Sequence, residues 1–318
     1  MQQSSTNRFF VPILTFFFFL GFFFFTTKGV IHIADGMVNF QTTRAVVEDH
    51  SLAINCDIVE AFIVKSPNGR CYSKYDIGLS VTAVPLYLLG RTLGGSDPAD
   101  MYTVSTAKFL VSTLAQIATA ATCAVLYILA FHISKNELYA FTLAFLYGIA
   151  TIAWPYAGLF FSQPLIAFLL TVAVTLVLKY PPSHTGAYVA AGIALGWACL
   201  TRLDTLPLTF VIALYAFYRW KKDENSITIL LKNSFLLGFP IFIAIIIYIS
   251  VNALRTGSLT QFGYANEGWT TPFFTGLFGL LLGPGRGLLF YSPLALLAVI
   301  GLMLVSLVFR RLNKKAIS

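Results

Sequence analysis

A carboxylate set among apolar neighbours can take a proton from a hydroxyl, and a guanidinium or ammonium group nearby can hold a phosphate as it leaves. The chain has candidates for both tasks. Asp35 follows the first apolar run by a few residues in GVIHIADGMVNF, so an otherwise apolar stretch delivers one carboxylate to the membrane surface. Arg202 and Asp204 stand between two apolar runs with almost no loop between them, so each must pair or face a cavity; a purely structural ion pair is the bland alternative. Arg286 lies in GPGRG, where glycines permit tight turns and close approach of a ligand, and a guanidinium suits a phosphate. Lys74, Tyr75, Asp76, Gln163, Tyr264 and Glu267 complete the candidate set. Taken singly, most of these residues read as solvated loop residues, with Asp35 the exception. His32, His50, His132 and His184 are scattered, and no Cys/His cluster has metal-ligand spacing.

What must position these residues is a set of membrane spans. Apolar residues make up 57% of the chain and charged ones 11%, far from the balance of a soluble domain. The net charge of +8 does not point to nucleic acid, because the basic groups flank apolar runs, as at Arg219, Lys221 and Lys222, or Arg310, Arg311, Lys314 and Lys315. A span needs about 20 apolar residues. Runs of roughly that length predict about eight spans, at 9 to 27, 108 to 132, 138 to 160, 163 to 179, 187 to 203, 205 to 219, 233 to 252 and 287 to 309. The phenylalanine-rich first run lacks a small-residue cleavage site and reads as a retained anchor.

Segment 77 to 94, IGLSVTAVPLYLLGRTLG, decides the topology. It is short, carries Pro85 at its middle and ends near Arg91. If it crossed, the basic groups at 219 to 222 and 310 to 315 would both share a side with the long 28 to 76 loop, against the positive-inside rule. An interfacial helix there satisfies the rule, with both termini cytoplasmic in the plasma (inner) membrane. The single membrane domain, 1 to 318, then has two extracytoplasmic loops, 28 to 107 and 253 to 286. Asp35, Lys74, Asp76, Gln163, Arg202, Asp204, Tyr264, Glu267 and Arg286 would all gather at that one face. Cys123 and Cys199 lie in apolar runs, whereas Cys56 and Cys71 share the first loop. A disulfide between them would close about 15 residues, worth roughly 3 kcal/mol to loop order, with two free thiols as the alternative.

The order of GRCYSKYDIGLSVTAVPLYLLG, YGIATIAWPYAGLFFSQPLIAFLL, GIALGWACLTRLDTLPL, FGYANEGW and LLGPGRGLLFYSPLALLAVIG resembles membrane glycosyltransferases of the C-type superfold. These are the bacterial and archaeal relatives of protein O-mannosyltransferases and of the lipid A aminoarabinose transferase. The resemblance runs from about residue 30 to about residue 302. It implies an all-α polytopic fold with juxtamembrane helices in the first extracytoplasmic loop. It also implies a polyprenyl-phosphate-linked sugar donor, inversion at the anomeric carbon, and a catalytic carboxylate at the position of Asp35. The acceptor, a glycan, lipid or protein, is left open.

Two departures from that pattern matter. Asp35 is followed by Gly36 where many relatives carry a second acid, and Gln163 stands at the acidic or histidine position of the second outer turn. A divalent ion prefers more than one carboxylate, so Lys74, Arg202 or Arg286 is expected to hold the donor phosphate in its place, with a bound divalent ion or a loss of activity as the alternatives. The chain ends soon after the last span, so acceptor recognition is expected to rest on the loops or on a partner. The competing readings are a lipid or solute transporter or flippase, and a non-catalytic membrane scaffold subunit.

Overall fold

Apolar runs with almost no charge must satisfy their backbone N–H and C=O groups internally, and a helix does so within one segment. The computed structural model describes residues 7–57, 60–95, 103–223, 226–259, 270–285, 287–292, 295–301 and 303–304, and these are helical through most of their length. The phenylalanine-rich run forms α1 (Asn7–Thr26), and α2 (Ala34–Glu48) follows after a short extended link. After α3 (Gly78–Thr82) and α4 (Val84–Gly94) come α5 (Thr106–Ser134), α6 (Glu137–Ala150), α7 (Ala153–Ala157) and α8 (Ser162–Lys179). Next are α9 (Thr185–Thr201), α10 (Leu206–Asp223), α11 (Ile227–Thr256), α12 (Phe273–Leu282) and α13 (Leu288–Tyr291).

Three of these, α5, α8 and α11, are long and apolar enough to cross a membrane. The outer surface, here on α1, α10 and α11, agrees with a membrane setting. Phe17, Phe210 and Phe242 are each about 60% exposed (60%, 62% and 59%), an outer surface that suits lipid and not water. The molecule is an all-α membrane protein with one small sheet.

Helix directions alternate, so the chain has two ends. Asn233 donates to the Pro182 carbonyl at 2.8 Å at one end, where α8 meets α9 and α10 meets α11. At the other, Leu203 donates to Asp76 at 3.1 Å and Ser66 to the Leu254 carbonyl at 3.1 Å. Between them α9 and α11 run parallel and very close. A Cβ on Gly192 would lie 2.4 Å from the Leu237 carbonyl oxygen, and one on Gly196 would lie 2.9 Å from that of Pro240. Glycine lets the two backbones touch, as small residues commonly do between membrane helices.

The first loop is folded. Segment 77 to 94 forms α3 and α4, and α4 crosses the start of α5 so closely that a Cβ on Gly90 would meet the Ala107 Cα at 2.4 Å. Phe40, Leu79, Tyr87, Val111 and Phe160 bury themselves together beneath α2, α3 and α4. Beside them lies an antiparallel sheet in the order β1 (Ala53–Ile54), β3 (Cys71–Ser73), β2 (Ile63–Lys65), with Tyr72 opposite both Ala53 and Val64. Helices alone were expected in this loop. The turn that closes β2 and β3 is SPNG, with Gly69 at φ 79° and its N–H bonded to the Ser66 carbonyl at 2.9 Å.

Two further expectations shift. The run 138 to 160 is broken at Thr151, which is extended and whose hydroxyl accepts from the Ala153 N–H at 3.0 Å. Pro155 has no N–H to bond back to the Thr151 carbonyl, so α6 stops and the short α7 starts afresh. The segment 253 to 286 opens with the last turn of α11 and contains the apolar helix α12, so it is not loop throughout. Of the expected last span, 287 to 309, α13 and residues 295–301 are helical, and most of the remainder lies outside the described residues.

Candidate functional site

Asp35 is in the first turn of α2, where a carboxylate is favoured by the unpaired N–H groups of a helix start. Asn39, one turn on, donates to the Asp35 carbonyl at 2.9 Å and accepts at its own carbonyl from Ser80 and Thr43, both at 3.0 Å. Thr43 also donates to the Ser80 carbonyl at 3.0 Å. This buried polar network fastens the start of α2 to α3. The carboxylate of Asp35 itself is half-buried and pairs with no cation among the described residues. A Cβ on Gly36 would lie 3.0 Å from the Phe160 carbonyl oxygen, so glycine lets this turn press against residue 160 without pushing it aside. Gln163 follows in the first turn of α8, exposed, with a 3.5 Å contact to Ser162.

Alongside is a cavity of about 460 Å³ formed where the two ends of the first loop meet, with Ile31, Ala34, Met37, Val104 and Phe109 in its wall. Asp35 lies in sequence between the lining residues Ala34 and Met37. Lys108 also lines the cavity and is 4% exposed, its ammonium donating to the Thr103 carbonyl at 2.8 Å and lying 5.8 Å from the Phe40 ring. The sequence reading passed over Lys108. Its one signal is a lone cation in the first turn of an apolar run, capped by Ser105, whose hydroxyl accepts from the Lys108 N–H at 3.1 Å.

A second group joins three distant segments. Asp76 accepts from the Leu203 N–H at 3.1 Å and pairs with Arg255 at 3.3 Å. Arg255, 3% exposed, also donates to the carbonyls of Tyr75 at 2.7 Å and Ser73 at 3.3 Å. Burial pushes the Asp76 carboxyl above the usual carboxylate range, against the pull of Arg255, the Leu203 N–H and Arg202. Asp204 holds Arg202 bidentately, with bonds of 2.6 and 3.1 Å to one carboxylate oxygen and 3.2 Å to the other. Lys74 lies over the rings of Phe62 at 5.2 Å and Tyr75 at 5.6 Å. Thus Tyr75, Asp76, Arg202 and Asp204 are brought together, Lys74 is next to them, and Asp35 and Gln163 stand at the same end of the molecule against another turn. Tyr264, Glu267 and Arg286 lie outside the described residues.

A third group, absent from the sequence reading, binds α2 to α4. Glu48 accepts from Tyr87 at 2.5 Å and from Arg44 at 2.8 Å, with Arg91 at 3.8 Å. Partial burial opposes its ionisation, but these hydrogen bonds and the two arginine charges outweigh burial and hold the carboxyl below its usual range.

Cys56 and Cys71 form a disulfide with their Cα atoms 5.3 Å apart, closing the sheet that carries Ser73, Lys74 and Asp76 toward α11. Among the described residues no three His, Cys, Asp or Glu side chains are grouped to hold a metal ion. Comparison of the chain with protein-family models, curated proteins and solved structures finds no match, so the reading of this site rests on its own residues and geometry.

Proposed function

We propose that the protein is a membrane-embedded glycosyltransferase that moves a sugar from a polyprenyl-phosphate-linked donor to an acceptor hydroxyl on the extracytoplasmic face. It would cross the plasma (inner) membrane about eight times with both termini cytoplasmic. The observation that carries this reading is Asp35, a carboxylate with no cationic partner among the described residues, next to an apolar cavity that holds a buried lysine. Asp35 takes or orients the proton of the acceptor hydroxyl, whose oxygen attacks the anomeric carbon from the face opposite the phosphate. The bond from that carbon to the phosphate oxygen then breaks, and cations stabilise the charge left on the polyprenyl phosphate. Lys74, Arg202 and Arg286 are assigned to that phosphate. For Arg202 the role requires giving up or sharing Asp204. The resemblance to the C-type glycosyltransferases supports the donor class.

A non-catalytic membrane scaffold is the competing reading. It is favoured by the pairing of Asp76 with Arg255 and of Arg202 with Asp204, which uses converging charges for structure. Incubating the purified protein with radiolabelled polyprenyl-phosphate sugars and membrane extract separates the two. Transfer by the wild type, cut about 100-fold or more in Asp35→Asn with expression and thermal stability unchanged, is the expected result. No transfer from any donor favours the scaffold, and full activity in Asp35→Asn removes the catalytic assignment.

A further inference from the structure

The opposite end of the molecule gathers cations from three helices. Lys135 follows α5 directly at φ 56°, in the left-handed region, and its ammonium bonds the His132 carbonyl. Arg219 of α10 bonds the Val177 carbonyl of α8, which brings it beside Lys179 at the end of that helix. Lys179 lies 5.3 Å from the Tyr180 ring, and Tyr180 stacks on His184 at 4.7 Å. α5 packs along α8 in the same direction, so both helices end here, and Lys135, Lys179 and Arg219 meet at one end of the bundle although far apart in sequence. Among the described residues the acids nearby are Asp223, 3.3 Å from Arg219, and Glu137 in the first turn of α6. Lys135 and Lys179 are exposed and make no ion pair among the described residues.

The setting has the features of a lipid headgroup region. Ile133, Leu138, Tyr139 and Tyr218 form an exposed apolar and tyrosine collar on the same segments. α5 has 29 residues between Lys135 and the cavity end. At 1.5 Å per residue that is roughly 43 Å, about one bilayer including its headgroups.

We propose that Lys135, Lys179 and Arg219 form a site for the phosphodiester headgroup of an anionic phospholipid in the leaflet at that end. The collar favours a lipid over a soluble phosphate, because acyl chains cover the apolar side chains that a free anion leaves bare.

Native mass spectrometry of protein released from phosphatidylcholine nanodiscs containing phosphatidylglycerol tests the site. The wild type should retain phosphatidylglycerol about 10-fold above its share of the disc, and Lys135→Gln/Lys179→Gln should bring retention to about parity. Arg219 is left intact because it also ties α10 to α8. Lys221→Gln/Lys222→Gln, an equal loss of charge on exposed residues outside the cluster, should keep the enrichment. Three outcomes overturn the proposal: no enrichment in the wild type, equal loss in the two double variants, or displacement of the lipid by an equal concentration of soluble glycerophosphoglycerol.

Discussion

Arg255 and Asp76 show how much one buried pair can hold. Their contact, with the bonds to Tyr75, Ser73 and Leu203, joins the first loop, the 201 to 205 turn and the end of α11. Replacing Arg255 by alanine strands a buried carboxylate, and such losses cost about 3 to 5 kcal/mol. The thermal midpoint of Arg255→Ala in detergent should therefore fall well below that of the wild type near neutral pH. The defect should also shrink in acid. Burial already raises the Asp76 pKa and Arg255 holds it down, so losing Arg255 raises it further, and protonation as pH falls relieves the variant more than the wild type. A defect that grows on acidification would refute this account. Asp76 was legible in the sequence as a candidate, because it stands in a polar loop next to an apolar segment. Arg255 was not, since its partner is 179 residues away and its neighbours read as the start of a loop.

Elements were more legible than contacts. Each expected span inside the described residues has a helix within it, because run length and charge exclusion are properties of one segment. What failed was local interruption: Pro155 breaks an apolar run whose hydrophobicity continues unbroken, and strands of two or three residues are too short to show an alternation. Close helix packing is likewise invisible to a hydropathy count. Gly186, Gly192 and Gly196 look alike in sequence, yet only the last two admit α11 at backbone distance. Gly192→Ala should lower the thermal midpoint by an amount matching about 1 to 3 kcal/mol of overpacking. Gly186→Ala, where a Cβ meets nothing within 4 Å, should hold or slightly raise it. Equal effects at the two positions would mean that the α9 and α11 backbones are not in contact.

For the whole molecule, the two ends differ in character. One carries the disulfide-closed loop, the cavity and Asp35; the other carries Lys135, Lys179, Lys221, Lys222 and Lys232. The alternating helix directions supply this division physically. Which end faces the cytoplasm is settled by labelling. With native cysteines replaced, a single cysteine at exposed Asn68 should react with an impermeant maleimide in intact cells, and one at Lys222 only after permeabilisation. The reverse pattern would invert the proposed orientation and place Asp35 on the cytoplasmic side.

The link between Asp76 and Arg255 also sets an order in time. The first loop emerges from the ribosome long before its anchor, because 179 residues separate the partners. At roughly 5 to 20 residues per second, synthesis leaves Asp76 without Arg255 for on the order of 10 to 40 s. The disulfide between Cys56 and Cys71, only 15 residues apart, needs no such wait. Biogenesis therefore falls into two stages, an early one that ties the loop to itself and a late one that seats it on the finished bundle. A chain stalled between them would present an oxidised but undocked loop to quality-control proteases.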